Sequence, residues 1–299
     1  MAEKRDKRVW QQPLLRKKLV PYFFLSPFLI LFSIFWLGPI GYSFYLSLLN
    51  TRSRPWHWDP LFNWDRLMHD SFFMEAFRNT FTILLIQVPI MLILALGLAL
   101  VFNSQYLKLK GLYRFAFFAP LVLGAVPYSA IFRLIFSPRY GILNHVLSKV
   151  GIGEPEWMFD AVPAMATIII AITWRWTGYN AIIILAGLQG IPESYNEAAR
   201  IDGANARQVF WHITLPLLRP VLLFTIVLST IGTLQLFTEP WLITRTAPAG
   251  ATEVLGTYLY KQGFRSFNFG YASAIAYVMA GIAGILTLIQ LRLAGDNET

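Results

Sequence analysis

Apolar residues run along this chain in long blocks, separated by short stretches in which charged and turn-forming residues collect. Six blocks stand out, at 19–49, 80–102, 115–136, 164–188, 217–237 and 271–293. Each is long enough to cross roughly 30 Å of hydrocarbon as a helix, which takes about 20 residues. Nowhere do apolar and polar positions alternate in ten-residue runs, so the pattern disfavours a β-barrel. The expected class is all-α: a polytopic membrane protein with six transmembrane helices. The third block is interrupted by Pro120, Pro127 and Arg133. Proline is tolerated in a span where neighbouring helices satisfy the freed carbonyls, so the block predicts one kinked, protein-packed helix. The sequence shows no soluble domain, no internal repeat and no inverted pair of broken helices, and the last point disfavours one common design of secondary transporter.

Composition supports the membrane reading. Of 299 residues, 56% are hydrophobic and only 14% charged, whereas soluble domains carry about a quarter charged residues. Cysteine is absent, which removes disulfides and thiolate metal sites. The four histidines have no metal-ligand spacing, so no metal is assigned. The net charge of +9 in so apolar a chain reports orientation in the bilayer, not nucleic-acid binding. The first block follows a charged tail and ends without a small-residue cleavage site, so it reads as an anchor and not as a signal peptide.

The tail at 1–18 holds Lys4, Arg5, Lys7, Arg8, Arg16, Lys17 and Lys18 against Glu3 and Asp6. Positive residues favour the cytoplasmic side, so this tail is expected inside. Six spans, over 19–293, then return a short C-terminal tail at 294–299 to the cytoplasm. The loop with Lys108 and Lys110 also falls inside, and the loops at 50–79, 137–163 and 238–270 fall outside. The first outer loop carries Trp56, Trp58 and Trp64, residues at home at a membrane–water interface.

The segment 189–216 also lands inside, and it is not loop-like. Its central part reads IPESYNEAARIDGANARQVFWHITLPLLRP over 191–220. Pro192 suits the first turn of a helix and Gly203 the position just past its end. A second helical stretch, 204–212, leads through Leu215 and Pro216 into the fifth block. Paired alanines leave a low surface that a partner can approach closely. On physical grounds alone two readings stand side by side: a docking element, or an amphipathic connector resting on the bilayer.

The spacing Glu197-Ala198-Ala199, three residues, Gly203, nine residues, Ile213, one residue, Leu215-Pro216 resembles the EAA motif of ABC-importer permeases. PYFFLSPFLI at 21–30, KGLYRFAFFAPLVLGAVPYS at 110–129, TWRWTGYNAIIILAGLQGIP at 173–192 and QLFTEPWLIT at 235–244 are similar to the corresponding spans of sugar-type members. The resemblance covers nearly the whole chain and is to the carbohydrate-uptake class, in the branch of the maltose and lactose permease F subunits. One departure is Thr246-Ala247-Pro248, where many relatives carry Gly-Gly-Pro. The resemblance implies a type I importer permease fold in a bacterial cell membrane. A second permease chain would complete the pathway, two cytoplasmic ATPase subunits would bind ATP and Mg, and an extracytoplasmic binding protein would deliver the sugar. Glu197, Ala198, Ala199, Asp202, Gly203, Ile213, Leu215 and Pro216 would then carry the coupling to an ATPase, within a coupling segment at 191–216. This chain has no G-x-x-x-x-G-K-[ST] phosphate loop, binds no cofactor of its own on this reading, and is not an enzyme.

Sugars are held by aromatic faces and by side chains that pair with hydroxyls. In the fourth block Trp176 and Tyr179 are three apart and share a helix face, with Asn180 beside them. In the fifth, Ser229 and Thr233 are four apart, and Gln235 follows as an amide that needs several partners. The resemblance places middle positions of these two blocks on the sugar pathway. The plainer reading is that Trp anchors an interface and that Ser and Thr bond their own helix, which is preferred for Trp174. Arg133 reads as snorkelling outward, Arg175 lies nearer mid-span, and Glu239 can pair with either. Ala272, Ala276, Ala280 and Gly284 form a small-residue stripe for helix packing. The competing functions are a stand-alone secondary carrier or channel for a small polar solute, or a membrane enzyme. A carrier should bear mid-span carboxylates, and here every acid lies in a tail, a loop or at a span edge.

Overall fold

A computed structural model describes residues 14–151 and 153–295. Lys4, Arg5, Lys7 and Arg8 of the basic tail, and residues 296–299 of the C-terminal tail, lie outside the described residues. Among the described residues the regular elements are helices apart from one hairpin of two-residue strands, β1 (Leu49–Asn50) paired antiparallel with β2 (His57–Trp58). Five helices are long and apolar enough to cross a membrane: α1 (Val20–Ser47), α3 (Ser71–Asn103), α7 (Ala161–Gln189), α9 (Ala206–Leu234) and α11 (Phe269–Leu293). Short helices α2 (Phe62–His69), α6 (Ile142–Lys149) and α10 (Leu255–Tyr260) lie in the connections, and α8 (Glu193–Ile201) precedes α9.

The third block departs from the single kinked helix expected of it. It forms two helices, α4 (Lys110–Val122) and α5 (Ala125–Ile135), at 99° to each other. Counted together they make the sixth span. Thirteen residues of α4 rise only about 20 Å, so the chain turns before completing a perpendicular crossing. The break has a local cause. Leu123 and Gly124 both adopt extended backbone, and Pro127 occupies the first turn of α5, where a missing N–H costs nothing. Tyr128 and Phe132 on α5 then pack into the core against Ile168 and Ile172 of α7, which fixes the direction of the second arm.

Two long helices widen for a single π turn, at Ser33–Leu37 and at Phe210–Thr214. In both, the next residue donates five positions back, Gly38 to Ser33 and Leu215 to Phe210. In both, a proline follows at once, Pro39 or Pro216. Proline lacks the N–H for the regular ladder and crowds the carbonyl four residues back, and a widened turn relieves that crowding without ending the helix.

Helices α3 and α7 form the central pair, flanked by α4 and α9. Helix α7 approaches α4 closely because residue 178 has no side chain: a Cβ at Gly178 would lie 1.7 Å from the carbonyl oxygen of Phe117. At one end of the bundle Ala95, Ala99, Ile184, Leu185 and Leu218 interlock. At the other, Phe73, Tyr258, Tyr271 and Ile275 do so. Helix α1 packs on α11 and buries none of its most apolar stretch within this chain. The small-residue stripe on α11 is split. Ala272 is buried, while Ala280 and Gly284 are exposed.

Candidate functional site

Between α3, α7, α9 and the turn that follows α9 lies an open cleft of about 270 Å³. All six pathway residues expected from the sequence line it: Trp176, Tyr179, Asn180, Ser229, Thr233 and Gln235. The helical spacings bring this about. Trp176 and Tyr179 meet edge to face with centroids 5.9 Å apart, and Asn180 lies one position further round. Trp174, two positions before Trp176, does not line the cleft. Its ring stacks on Tyr128 of α5 at 6.0 Å and 2°.

The polar groups of the cleft are partly committed to the protein. Asn180 is buried and donates to the Trp176 carbonyl at 2.9 Å and to the Met91 sulfur at 2.8 Å. Thr233 donates to the Ser229 carbonyl of its own helix at 2.9 Å, as the plainer reading had it, while its hydroxyl oxygen stays available as an acceptor. Gln235 does not stand within the fifth span as expected. The helix stops at Leu234, and Gln235 is its C-cap residue, exposed on the cleft wall. The five residues from Gln235 to Glu239 all line the cleft, so its floor is built from the end of a helix and not from a helix face.

Gln87, Arg175 and Glu239 are among the lining residues that the sequence reading of the pathway did not name. Gln87 of α3 is buried, and its carbonyl oxygen lies 3.5 Å from the Thr233 hydroxyl. The signal for it was present: an amide in the middle of an otherwise apolar block. Arg175 and Glu239 form an ion pair at 3.9 Å, with side chains 14% and 5% exposed. This settles the choice left open for Glu239. Arg175 also donates to the Leu123 carbonyl at 3.4 Å, in the break between α4 and α5, and its guanidinium lies 4.6 Å from the centre of the Tyr128 ring. Burial raises the pKa of the Glu239 carboxyl, while its own backbone amide and the Arg175 charge oppose that rise.

The second candidate element is α8 with its turn. Gly203 has φ +84° and closes the helix in a Schellman motif. The Ala204 amide donates to the Ala199 carbonyl at 2.9 Å, and the Gly203 amide to the Arg200 carbonyl at 3.1 Å. Asn205 then starts α9 with a capping box. Its side chain accepts from the Gln208 amide at 2.9 Å, and the Gln208 side chain accepts from the Asn205 amide at 2.8 Å. Every residue of α8 is at least partly exposed, with Ile201 86% and Tyr195 53% exposed. Glu197, Ala198, Asp202 and Gly203 are exposed, Ala199 is half-buried, and Ile213 borders a hollow behind the turn with Asp202 and Gly203. Leu215 is half-buried and Pro216 exposed just beyond the π turn.

Residues 68–294 match the family described as binding-protein-dependent transport system inner membrane component. The chain belongs to this family. It is therefore a multi-pass inner-membrane component of a transport system and not an enzyme, and the stand-alone carrier is set aside. The chain is 42% identical to the lactose transport system permease protein LacF of Rhizobium radiobacter, over 93% of this chain and 94% of that protein. It is 33% identical to the arabinooligosaccharides transport system permease protein AraP of Bacillus subtilis, over 96% and 92% of the two chains. Among solved structures it resembles a chain of a bacterial ABC transporter for import of the polysaccharide alginate, with TM-score 0.83, 22% identity and 95% and 98% coverage. That likeness bears out the type I importer fold.

Proposed function

We propose that this chain is a permease subunit of an ATP-driven importer for sugars or oligosaccharides in a bacterial cell membrane. The observation that carries the reading is the cleft, where residues from three spans, α3, α7 and α9, converge. Three aromatic side chains (Trp176, Tyr179 and Phe237), three amides and several hydroxyls line one open space, a set suited to a polyhydroxylated solute. Relatives named for lactose and arabinooligosaccharides transport support the substrate class. A second permease chain supplies the other half of the pathway. An extracytoplasmic binding protein delivers the sugar, as the family description and a relative's complex with a periplasmic protein support.

On this reading both termini are cytoplasmic, and α8 with its Gly203 turn seats on one of two ATPase subunits, which hold the ATP and Mg. An amphipathic helix that offers Ile201 and Tyr195 outward, at the start of the helix that leads to the cleft, fits this role. The test is to purify the importer with a tag on this chain. The ATPase subunit should co-purify, and vesicles loaded with ATP should take up labelled sugar only when binding protein is present. A chain that purifies without an ATPase and transports without binding protein would sink the proposal.

A further inference from the structure

Two charged side chains line the cleft, and they face each other. Arg175 and Glu239 stand 3.9 Å apart with little exposure. The remaining polar lining is neutral: Gln87, Asn180, Gln235, Ser229, Thr233 and Thr238 among the amides and hydroxyls. We propose that this half of the pathway is selective for uncharged saccharides, and that the Arg175–Glu239 pair sets this preference. The inference rests on the reading of the cleft as a saccharide site and narrows its substrate class.

The argument concerns what an anionic sugar would meet. Its carboxylate could approach Arg175 only by sharing the guanidinium with Glu239, which brings a second negative charge beside that buried carboxylate. Stranding one partner of a buried charge pair is costly, and like charges brought together add to the cost. Arg175 is also tethered by the Leu123 carbonyl and the face of Tyr128, which limits how far it turns to follow a ligand anion. A cationic sugar meets the mirror problem, since Arg175 guards Glu239. An uncharged sugar avoids both. It exchanges water for amide and hydroxyl partners and lays its apolar ring face on Trp176 or Tyr179, with the ion pair undisturbed.

The complete importer, reconstituted in nanodiscs without binding protein, tests this by calorimetric titration. The probes are lactose and an arabinotriose as neutral sugars, and lactobionate and a digalacturonate as acids. Glu239→Gln keeps the side chain's shape and releases Arg175. The parental complex should favour a neutral probe over the acids by about tenfold or more, and Glu239→Gln should reduce that preference by a similar factor. Glu239→Gln combined with Arg175→Gln should remove the gain for the acids, because the released cation is gone. An acid probe bound as tightly as its neutral counterpart by the parental complex overturns the inference and leaves the cleft as a saccharide site. So does an unchanged preference in a Glu239→Gln complex that assembles normally. Failure of every probe to bind the parental complex overturns the saccharide reading itself.

Discussion

The hydroxyl of Tyr258 donates to Oδ2 of Asp70 at 2.5 Å, joining the loop before α3 to helix α10. The same oxygen accepts from Tyr271 at 2.6 Å, and Oδ1 caps α3 through the amides of Phe72 and Phe73. Burial acts to raise the Asp70 pKa, but the bonds from Tyr258, Tyr271 and the two amides together hold it below 3.8. A carboxyl with a depressed folded pKa stabilises the fold above its unfolded pKa, and this contribution fades as pH falls through the folded value. Detergent-solubilised protein should therefore lose melting temperature as pH drops below about 4. Asp70→Asn should cost about 1–2 kcal/mol at neutral pH and flatten that acid limb. A variant that melts like the parent at pH 7 would show the network to be unimportant.

Gly178→Ala should weaken the fold by about 1–3 kcal/mol, because its new methyl would meet the Phe117 carbonyl. Gly97→Ala is the control. A Cβ there meets nothing within 4 Å, and alanine in a helix interior is favoured by about 1 kcal/mol. Thermal melts of the two should move in opposite directions.

Gly203→Val places a β-branched residue at φ +84°, a strain of roughly 1–2 kcal/mol confined to an exposed turn. Glu197→Ala removes an exposed charge from the helix before it. Both should reduce sugar uptake while membrane expression stays near normal. Parental uptake rates in both variants would return the 191–216 segment to the status of a connector.

Tyr179→Ala, Gln235→Leu and Gln87→Leu each remove one lining group from the cleft. A neutral hydrogen bond to a substrate is worth about 0.5–1.5 kcal/mol net, so each amide variant should slow transport several-fold. ATPase assembly and sugar capture by the binding protein should persist. If all three transport at the parental rate, these side chains serve packing and the pathway runs elsewhere.

The chain contains no cysteine, so single-cysteine variants report topology cleanly. Cysteine at Ser53 should react with membrane-impermeant maleimide, and cysteine at Ser104 only with a permeant one. The reverse pattern would invert the bundle and remove α8 from the cytoplasm.

The spans were legible because membrane insertion depends on block length and mean polarity, both of which are local. So was the α8 turn, because Gly203 is a cap signal carried locally, while the equally local Asn205–Gln208 capping box went unread. Helical spacing put Trp176 with Tyr179, and Ser229 with Thr233, on shared faces, and the resemblance to sugar-type permeases placed those faces on the pathway. What the sequence concealed depends on distant partners. Gly124 and Pro127 mark a discontinuity, but the 99° turn is set by where Tyr128 and Phe132 find room in the core. Gln235 reads as part of the fifth block at 217–237, and only the fold shows the helix stopping at Leu234. Arg133 and Arg175 are equivalent partners for Glu239 until α7 is placed against the turn after α9.

Helix α9 runs without a gap from the Asn205 cap to the cleft wall, 29 residues from Ala206 to Leu234, or about 43 Å. Such a rod acts as a lever with its handle in the segment beside α8. A tilt of about 10° about the handle end would sweep the far tip through roughly 7 Å over that length. Ser229 and Thr233 sit near the tip, so they would move most, while Val209, at the handle, would scarcely shift. The widened turn at Phe210–Thr214 lies close to that fulcrum. Its looser hydrogen bonding makes it the place where the rod would flex, and stiffening it would change how much of a push at the base reaches the cleft.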